Sequence, residues 1–251
     1  MVLLILVMKF FILPLKYKVE VIANNLGCRN TPSFVSFVER EPGYITGEEA
    51  KRKAANNSSN TIFDVKRIIG CRYSTKSVQD DLKAWPFTVV QGPDDKPMVE
   101  VERGGEKKLY TPEEISSMIL MRLKETAEEF HGVGNVAGAV IPVPVLFTLA
   151  QKNATKNAAE AAGLEVIKMV NEPAAAAFAY AHEKAFDGKQ NYLVYDLGGR
   201  SFEVTLLSLS KDKKTGLFEI DVLATGGDFN LGGRDFDKKL VEFCLMDIEK
   251  R

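Results

Sequence analysis

Four residues, Asp196-Leu197-Gly198-Gly199, stand between two strand-like runs, and they constrain the fold of this 251-residue chain more than any other feature. Asn191 to Tyr195 is apolar and aromatic, and Phe202 to Leu209 alternates its faces as a half-buried strand does. Two glycines between such runs suit a tight hairpin. Glycine has no Cβ, so a ligand oxygen can approach the amides of Gly198 and Gly199 closely, and N–H groups that converge make an anion nest. Asp196, closing the first strand, is placed to hold a metal through water. Dinucleotide-binding and P-loop fingerprints put their glycines before a helix, whereas a strand follows here, so both are disfavoured. Residue pattern alone leaves two readings open: a phosphate-binding hairpin, or a plain hairpin turn.

Composition excludes several classes. At 45% hydrophobic and 27% charged residues the chain is an ordinary globular one, long enough for one to two domains. Its 33 basic and 34 acidic residues leave a formal charge of -1 with no basic tract, which argues against nucleic acid as a partner. Cys28, Cys71 and Cys244 are odd in number and far apart, so neither a disulfide framework nor a zinc site is expected, and a reducing compartment fits. Met1 to Leu15 is almost wholly apolar but broken by Lys9 and Pro14. It is shorter than the ~20 residues that span a bilayer. It also lacks the basic start and small-residue cleavage site of a secretory signal. The expectation is a cytoplasmic protein without a membrane anchor, secretory targeting being the minor alternative.

Local signals lay out the rest. Thr111-Pro112-Glu113-Glu114 is a capping box with proline at the first helical position, and Ile115, Met118, Ile119, Leu123, Ala127 and Phe130 recur on one face, which predicts a helix over about 112–130. Residues 137–143 read as a buried strand. Thr148 to Gln151 caps a second helix that stops at Gly163. A strand over 165–170 then precedes an alanine-rich helix of 173–184 opened by Asn171-Glu172-Pro173. Strands alternating with helices mean an α/β domain. The stretch 38–110 is more polar and rich in turns.

Six blocks in order carry a resemblance: VEVIANNLGCRNTPSFVSF (19–37), NTIFDVKRIIG (60–70), YTPEEISSMIL (110–120), QKNATKNAAEAAGLEV (151–166), NEPAAAAFAY (171–180) and DLGGRSFEVTLL (196–207). From Val19 to Asp237 the chain resembles the nucleotide-binding domain of the seventy-kilodalton heat-shock chaperones, within the actin-like ATPase superfamily. The resemblance implies an α/β, actin-like ATPase (ribonuclease H-like) fold of two lobes. In that frame residues 1–15 replace the family's first phosphate hairpin, and 16–188 form lobe I with an inserted outer subdomain over about 38–110. Residues 189–251 begin a truncated lobe II, without the adenosine-binding turn, linker, peptide-binding domain and lid of relatives. Unfolded-protein binding is therefore not expected of this polypeptide.

The same resemblance assigns roles. Lys66 would otherwise be a solvated surface charge beside Arg67. In the family's F-D-A-K-R block that lysine reaches the γ-phosphate and the attacking water, where a positive charge stabilises the phosphoryl oxygens in flight. Glu172 is alone a helix-start carboxylate favoured by the dipole, but in the family's N-E-P it helps to order the metal and its waters. Asp196 takes the metal-water role, and Gly198, Gly199, Arg200 and Ser201 make the phosphate cradle. ATP or ADP and Mg2+ are the implied cofactors. J-domain co-chaperones and nucleotide-exchange factors are the implied partners. The family's D-L-G-G-G-T-F-D reads D-L-G-G-R-S-F-E here, so Arg200 stands at a glycine position where a positive φ would cost on the order of 1 kcal/mol. Ser201 keeps a hydroxyl and Glu203 a carboxylate. By the same resemblance Pro144 is retained and Lys152 replaces an arginine where relatives relay nucleotide state to the substrate domain, and Lys168 and Ala174 replace an arginine and a threonine in the surface that meets J-domain partners. Lysine lacks arginine's planar fork, so coupling is expected to be weaker. His131 and His182 match no functional position. The implied activity is ATP hydrolysis linked to protein folding and the stress response. A catalytically inactive fragment, at most a binding module, is the alternative.

Overall fold

The computed structural model describes residues 2–7, 10–15, 18–39, 43–134, 136–183, 188–199, 201–211, 218–228 and 231–250. Its strands are β1 (Val2–Val7), β2 (Phe10–Leu15), β3 (Lys18–Val21), β4 (Phe34–Phe37), β5 (Tyr44–Thr46), β6 (Thr61–Phe63), β7 (Thr88–Gln91), β8 (Pro97–Arg103), β9 (Glu106–Tyr110), β10 (Val136–Val143), β11 (Val166–Asn171), β12 (Lys189–Leu197), β13 (Phe202–Lys211) and β14 (Phe218–Asp228). Its helices are α1 (Gly47–Lys53), α2 (Lys76–Leu82), α3 (Pro112–His131), α4 (Leu149–Ala161), α5 (Glu172–Glu183) and α6 (Gly233–Glu249). The chain is thus mixed α/β. It divides into two compact units, Met1–Pro142 with Phe147–Met169, and Val143–Leu146 with Val170–Arg251.

A five-stranded sheet in the order β11-β10-β1-β2-β3 organises the first unit. β1 and β2 pair antiparallel with Ile5 opposite Ile12, β2 and β3 pair antiparallel, and β1 runs parallel to β10. Residues 2–7 and 10–15 therefore pair as two antiparallel strands. What the segment lacks is an Asp-Leu-Gly turn, not the two strands; the connecting residues Met8 and Lys9 lie outside the described residues. Among the described residues no helix is long and apolar enough to cross a membrane.

α3 and α4 begin where their capping boxes place them. Thr111 Oγ1 accepts from the Glu114 N–H at 3.1 Å while Glu114 Oε2 accepts from the Thr111 N–H at 2.7 Å. Thr148 and Gln151 repeat the exchange at 3.3 and 3.1 Å. Each exchange satisfies two N–H groups that a helix start leaves without partners. The buried Ile115 and Ala127 line the inner face of α3.

The polar stretch before α3 folds as two small sheets, β5-β4-β6 and β7-β8-β9. Alternation along Pro97–Arg103 buries Pro97, Val99 and Val101 and leaves polar side chains outward. A core cluster of Val35, Ile62, Val78, Trp85, Phe87 and Val99, with Ile115 of α3, holds this region together. Trp85 stacks on Phe87 with ring centroids 5.1 Å apart, and Phe63 meets Phe87 edge-on at 5.4 Å. Such pairs contribute about 0.5–1.5 kcal/mol beyond their buried area. Ser36 Oγ and Thr61 Oγ1 are buried inside it, 2.8 Å apart, and Asn57 Nδ2 donates to Ser36 Oγ at 3.0 Å.

The second unit is the antiparallel meander β12-β13-β14 with α5 on one face and α6 at its end. Residue 189, where the second lobe is expected to begin, falls within this unit, which also takes in α5. The reason is packing: Ala177 and Ala181 of α5 bury against Leu207 and Leu209 of β13, flanked by Tyr192, Val194, Phe218 and Ile220.

Thiol reactivity offers a check on the packing of the first unit. Burial, then the nearby Asp81 charge, pushes the Cys71 thiol above its ordinary range, and a hydrogen bond from Gln151 Nε2 at 3.6 Å only partly offsets this. Cys28 and Cys244 are exposed. At mildly alkaline pH an alkylating reagent is expected to modify those two at least ~10-fold faster than Cys71. Mass spectrometry of timed reactions would read this, and equal rates at all three would contradict the packing.

Candidate functional site: a glycine turn clamped by a helix

β12 and β13 pair in strict antiparallel register from Lys189 opposite Ser210 to Leu197 opposite Phe202. The loop is therefore the four residues 198–201 rather than a two-residue turn. The Gly198 N–H donates to the Ser201 carbonyl at 3.0 Å and closes it. Two further bonds fix its orientation: the N–H groups of Gly233 and Arg234, in the first turn of α6, donate to the carbonyls of Gly198 and Gly199 at 3.0 and 2.9 Å. Asp235 Oδ2 accepts from the Gly232 N–H at 2.8 Å and secures the same helix end.

This clamp decides which donors face a ligand. A trans peptide sets its C=O and N–H in opposite directions. With the Gly198 carbonyl turned to α6, the Gly199 N–H is turned away from it, and among the described residues it donates to no backbone carbonyl. A Cβ built on Gly199 meets nothing within 4 Å, so the turn is open on its outer side. The Gly198 N–H is committed within the turn, which removes it from the nest expected there. Arg200 lies outside the described residues. Ser201 is half-buried.

The register also pairs Asp196 directly with Glu203 across the hairpin, so both carboxylates lie on one face of the sheet. Asp196 is exposed, while Glu203 is only 3% exposed. Sequence reading had noted Glu203 only as a longer replacement for aspartate; the alternation of β13 held the signal for its face, and the loop length set its partner. On the other side of β13, Gly227 is paired with Glu203 at φ +156, and a Cβ there would come within 2.2 Å of the Phe202 carbonyl oxygen. β14 approaches the carboxylate strand this closely because residue 227 is glycine.

Glu172 stands in the first turn of α5, half-buried, before the buried Pro173. Glu172, Asp196, Gly198, Gly199 and Ser201 thus all belong to the second unit. Exposed Asp196 offers hard oxygen atoms of the kind that hydrated Mg2+ accepts, whereas Glu203 opposite it is buried. Among the described residues no group of three or more His, Cys, Asp or Glu side chains is arranged to ligate a metal directly.

Lys66 belongs to the first unit, on a short 3-10 turn of Val65–Arg67. Buried Asp64 precedes it at φ 62, a left-handed conformation that Asp tolerates better than most residues. Arg67 pairs with Asp81, both largely buried. Gly70, at φ +65, brings the turn against α4, where a Cβ would meet Gln151 Cα at 2.6 Å. Lys66 Nζ sits 5.9 Å from the centroid of the Phe147 ring, a cation–π distance. Of the positions to which the resemblance gives a signalling or partner-contact role, Pro144 is buried, Lys152 and Ala174 are half-buried and Lys168 is exposed. The side chains of His131 and His182 lie outside the description.

Comparison with known proteins gives this geometry a context. The family model described as "Hsp70 protein" matches residues 15–251. The chain is 47% identical over 234 residues to a heat shock 70 kDa protein of Emericella nidulans, covering 93% of this chain and 35% of that protein. It is 46% identical over 232 residues to a heat shock 70 kDa protein of Neurospora crassa, and 46% identical over 237 residues to heat shock cognate 70 kDa protein 3 of Dictyostelium discoideum. These cover 92% and 93% of this chain, and 34% and 36% of the relatives. The chain thus spans about a third of the length of these relatives.

If backbone approach at Gly227 holds the site, Gly227→Ala should lower stability by roughly 2–3 kcal/mol in urea unfolding. Gly226→Ala, where an added Cβ meets nothing within 4 Å, is expected to stay within ~1 kcal/mol of the parent chain. Equal effects would show that crowding on Phe202 is not the constraint.

Proposed function

The chain belongs to the Hsp70 protein family, and from that premise we propose that it is a chaperone-type ATPase domain of actin-like fold, which binds ATP or ADP with Mg2+ and hydrolyses ATP. One observation carries the reading: α6 holds the Gly198–Gly199 turn so that the Gly199 N–H faces away from the helix, beside the Asp196–Glu203 pair.

Each residue has a distinct part. Gly199, with Arg200 and Ser201, cradles phosphate oxygens through N–H and O–H donors, and Gly198 leaves room for their approach. Asp196 and Glu172 hold Mg2+ through its waters. When bound, that ion neutralises charge on the phosphate oxygens. Lys66 places a fixed positive charge on the γ-phosphoryl group and orients the attacking water for in-line displacement. The Arg200 guanidinium either adds a charge-assisted phosphate contact or fills the space a phosphate needs. J-domain co-chaperones and exchange factors are the partners this reading carries over. Lys152 weakens the relay of nucleotide state and Lys168 the contact with J-domain partners, because an ammonium does not reproduce a guanidinium fork. The cytoplasm is the compartment that fits.

A second reading, a catalytically inactive domain that acts at most as a binding module, draws on the arginine at position 200, where the cradle has glycine in the family pattern.

Calorimetric titration of the purified chain with ATP separates the two. Micromolar binding that disappears with EDTA is the expected result; no heat with or without Mg2+ would favour the inactive domain. If turnover is present, Lys66→Met should reduce it by ~100-fold or more while leaving binding within a few-fold. An unchanged rate would remove Lys66 from the mechanism.

A further inference from the structure

A charge that serves a single phosphoryl group needs a defined place, and the four-carbon stem of a lysine leaves its ammonium many places to occupy. The backbone of Lys66 is already fixed. Val65, Ile68 and Ile69 around it are buried, and the N–H groups of Ile68 and Ile69 both donate to the Val65 carbonyl at 3.0 Å. Lys66 itself is half-buried.

The start of α4, in the same unit, supplies a contact for the far end of the side chain. Gln151 sits at the close approach of Gly70, and its Nε2 donates to Cys71 Sγ at 3.6 Å. The same Gln151 completes the capping exchange with Thr148, the residue that follows Phe147. A single residue of α4 thus ties the lysine turn to the helix start and to the ring just ahead of it. Phe147 is only 8% exposed, so its ring has little room to turn away. Lys66 Nζ stands over that ring, 5.9 Å from the centroid.

We propose that Phe147 is a positioning residue for Lys66: the ring face restricts the ammonium to one place without accepting its hydrogen bonds. A carboxylate there would take N–H donors and offset the charge. An aromatic face attracts the cation through its quadrupole and leaves the N–H donors to other partners. The role rests on the ATPase reading, which gives Lys66 its task. Phe147 acts through Lys66 and touches no reacting group.

Two measurements on the full chain test it. Without nucleotide, the side-chain CH2 proton signals of Lys66, assigned by their loss in Lys66→Met, should lie upfield under the ring current. They should return toward ordinary lysine positions in Phe147→Leu. With ATP and Mg2+, replacement of Phe147 by 3,4,5-trifluorophenylalanine, which keeps the ring's shape but removes most of its negative face, should lower kcat ~3–10-fold with KM within ~2-fold. A single fluorine should give an intermediate loss, and Phe147→Tyr, which keeps the ring face, should keep most of the rate. A packing role alone would leave the fluorinated chains at the parent rate. That result, a change confined to KM, or unshifted Lys66 signals in the parent chain would each overturn the proposal. Ring-shifted signals in a parent chain without turnover would instead overturn the ATPase reading, and the catalytic task of Phe147 with it.

Discussion

Two hydrogen bonds from the first turn of α6 to the Gly198 and Gly199 carbonyls hold the arrangement on which the candidate site depends. A glycine turn by itself has many accessible backbone states, because no Cβ restricts φ and ψ. Fixing two successive carbonyls removes most of that freedom. Planarity of the peptide then transmits the constraint to the N–H group on the far side. The helix end gains as well, since its first N–H groups have no partners within the helix. One contact therefore satisfies two needs, and it converts a flexible turn into a directed set of donors.

Much of the scaffold was legible because its signals are local. Thr111 with Glu114, and Thr148 with Gln151, announce helix starts within four residues, and both exchanges are present. Alternation along Phe202 to Leu209 told which residues share a face. What it did not tell was that Glu203 meets Asp196, because register follows from loop length. A two-residue and a four-residue loop pair different residues from the same two strands. The clamp was illegible for a related reason: Gly233 and Arg234 reach carbonyls more than thirty positions away, and no local pattern encodes that. The first fifteen residues read as an apolar stretch without a place. A short apolar run carries no period to separate strand from other fates, and only its pairing with β10 and β3 gives it one.

The two units are consolidated by different means. The outer region of the first has an aromatic core in which Trp85, Phe87 and Phe63 contact one another, closed beneath α3. In the second, a core cluster rests on two alanines and two leucines. Alanine contributes little buried area, so each of those contacts is worth less than a leucine or phenylalanine contact would be. A three-stranded meander covered on one face is near the lower limit of what holds together unaided.

The consequence falls on the clamp. α6 has no buried residue along its length, and Phe236, Leu240, Phe243 and Ile248 all stand exposed. Most helices draw their stability from tertiary packing of an apolar face rather than from intrinsic propensity. The helix that orders the glycine turn is anchored at its first turn, so fraying of α6 and disorder of the Gly199 donor are one event rather than two. Covering the apolar side of α6 would stabilise the helix and, through the Gly233 and Arg234 bonds, the turn. Under the proposed phosphate-binding reading, affinity at the turn is thereby coupled to burial of a surface that the ligand never touches. That coupling works in both directions: an anion bound at Gly199 favours the ordered helix as much as the ordered helix favours the anion.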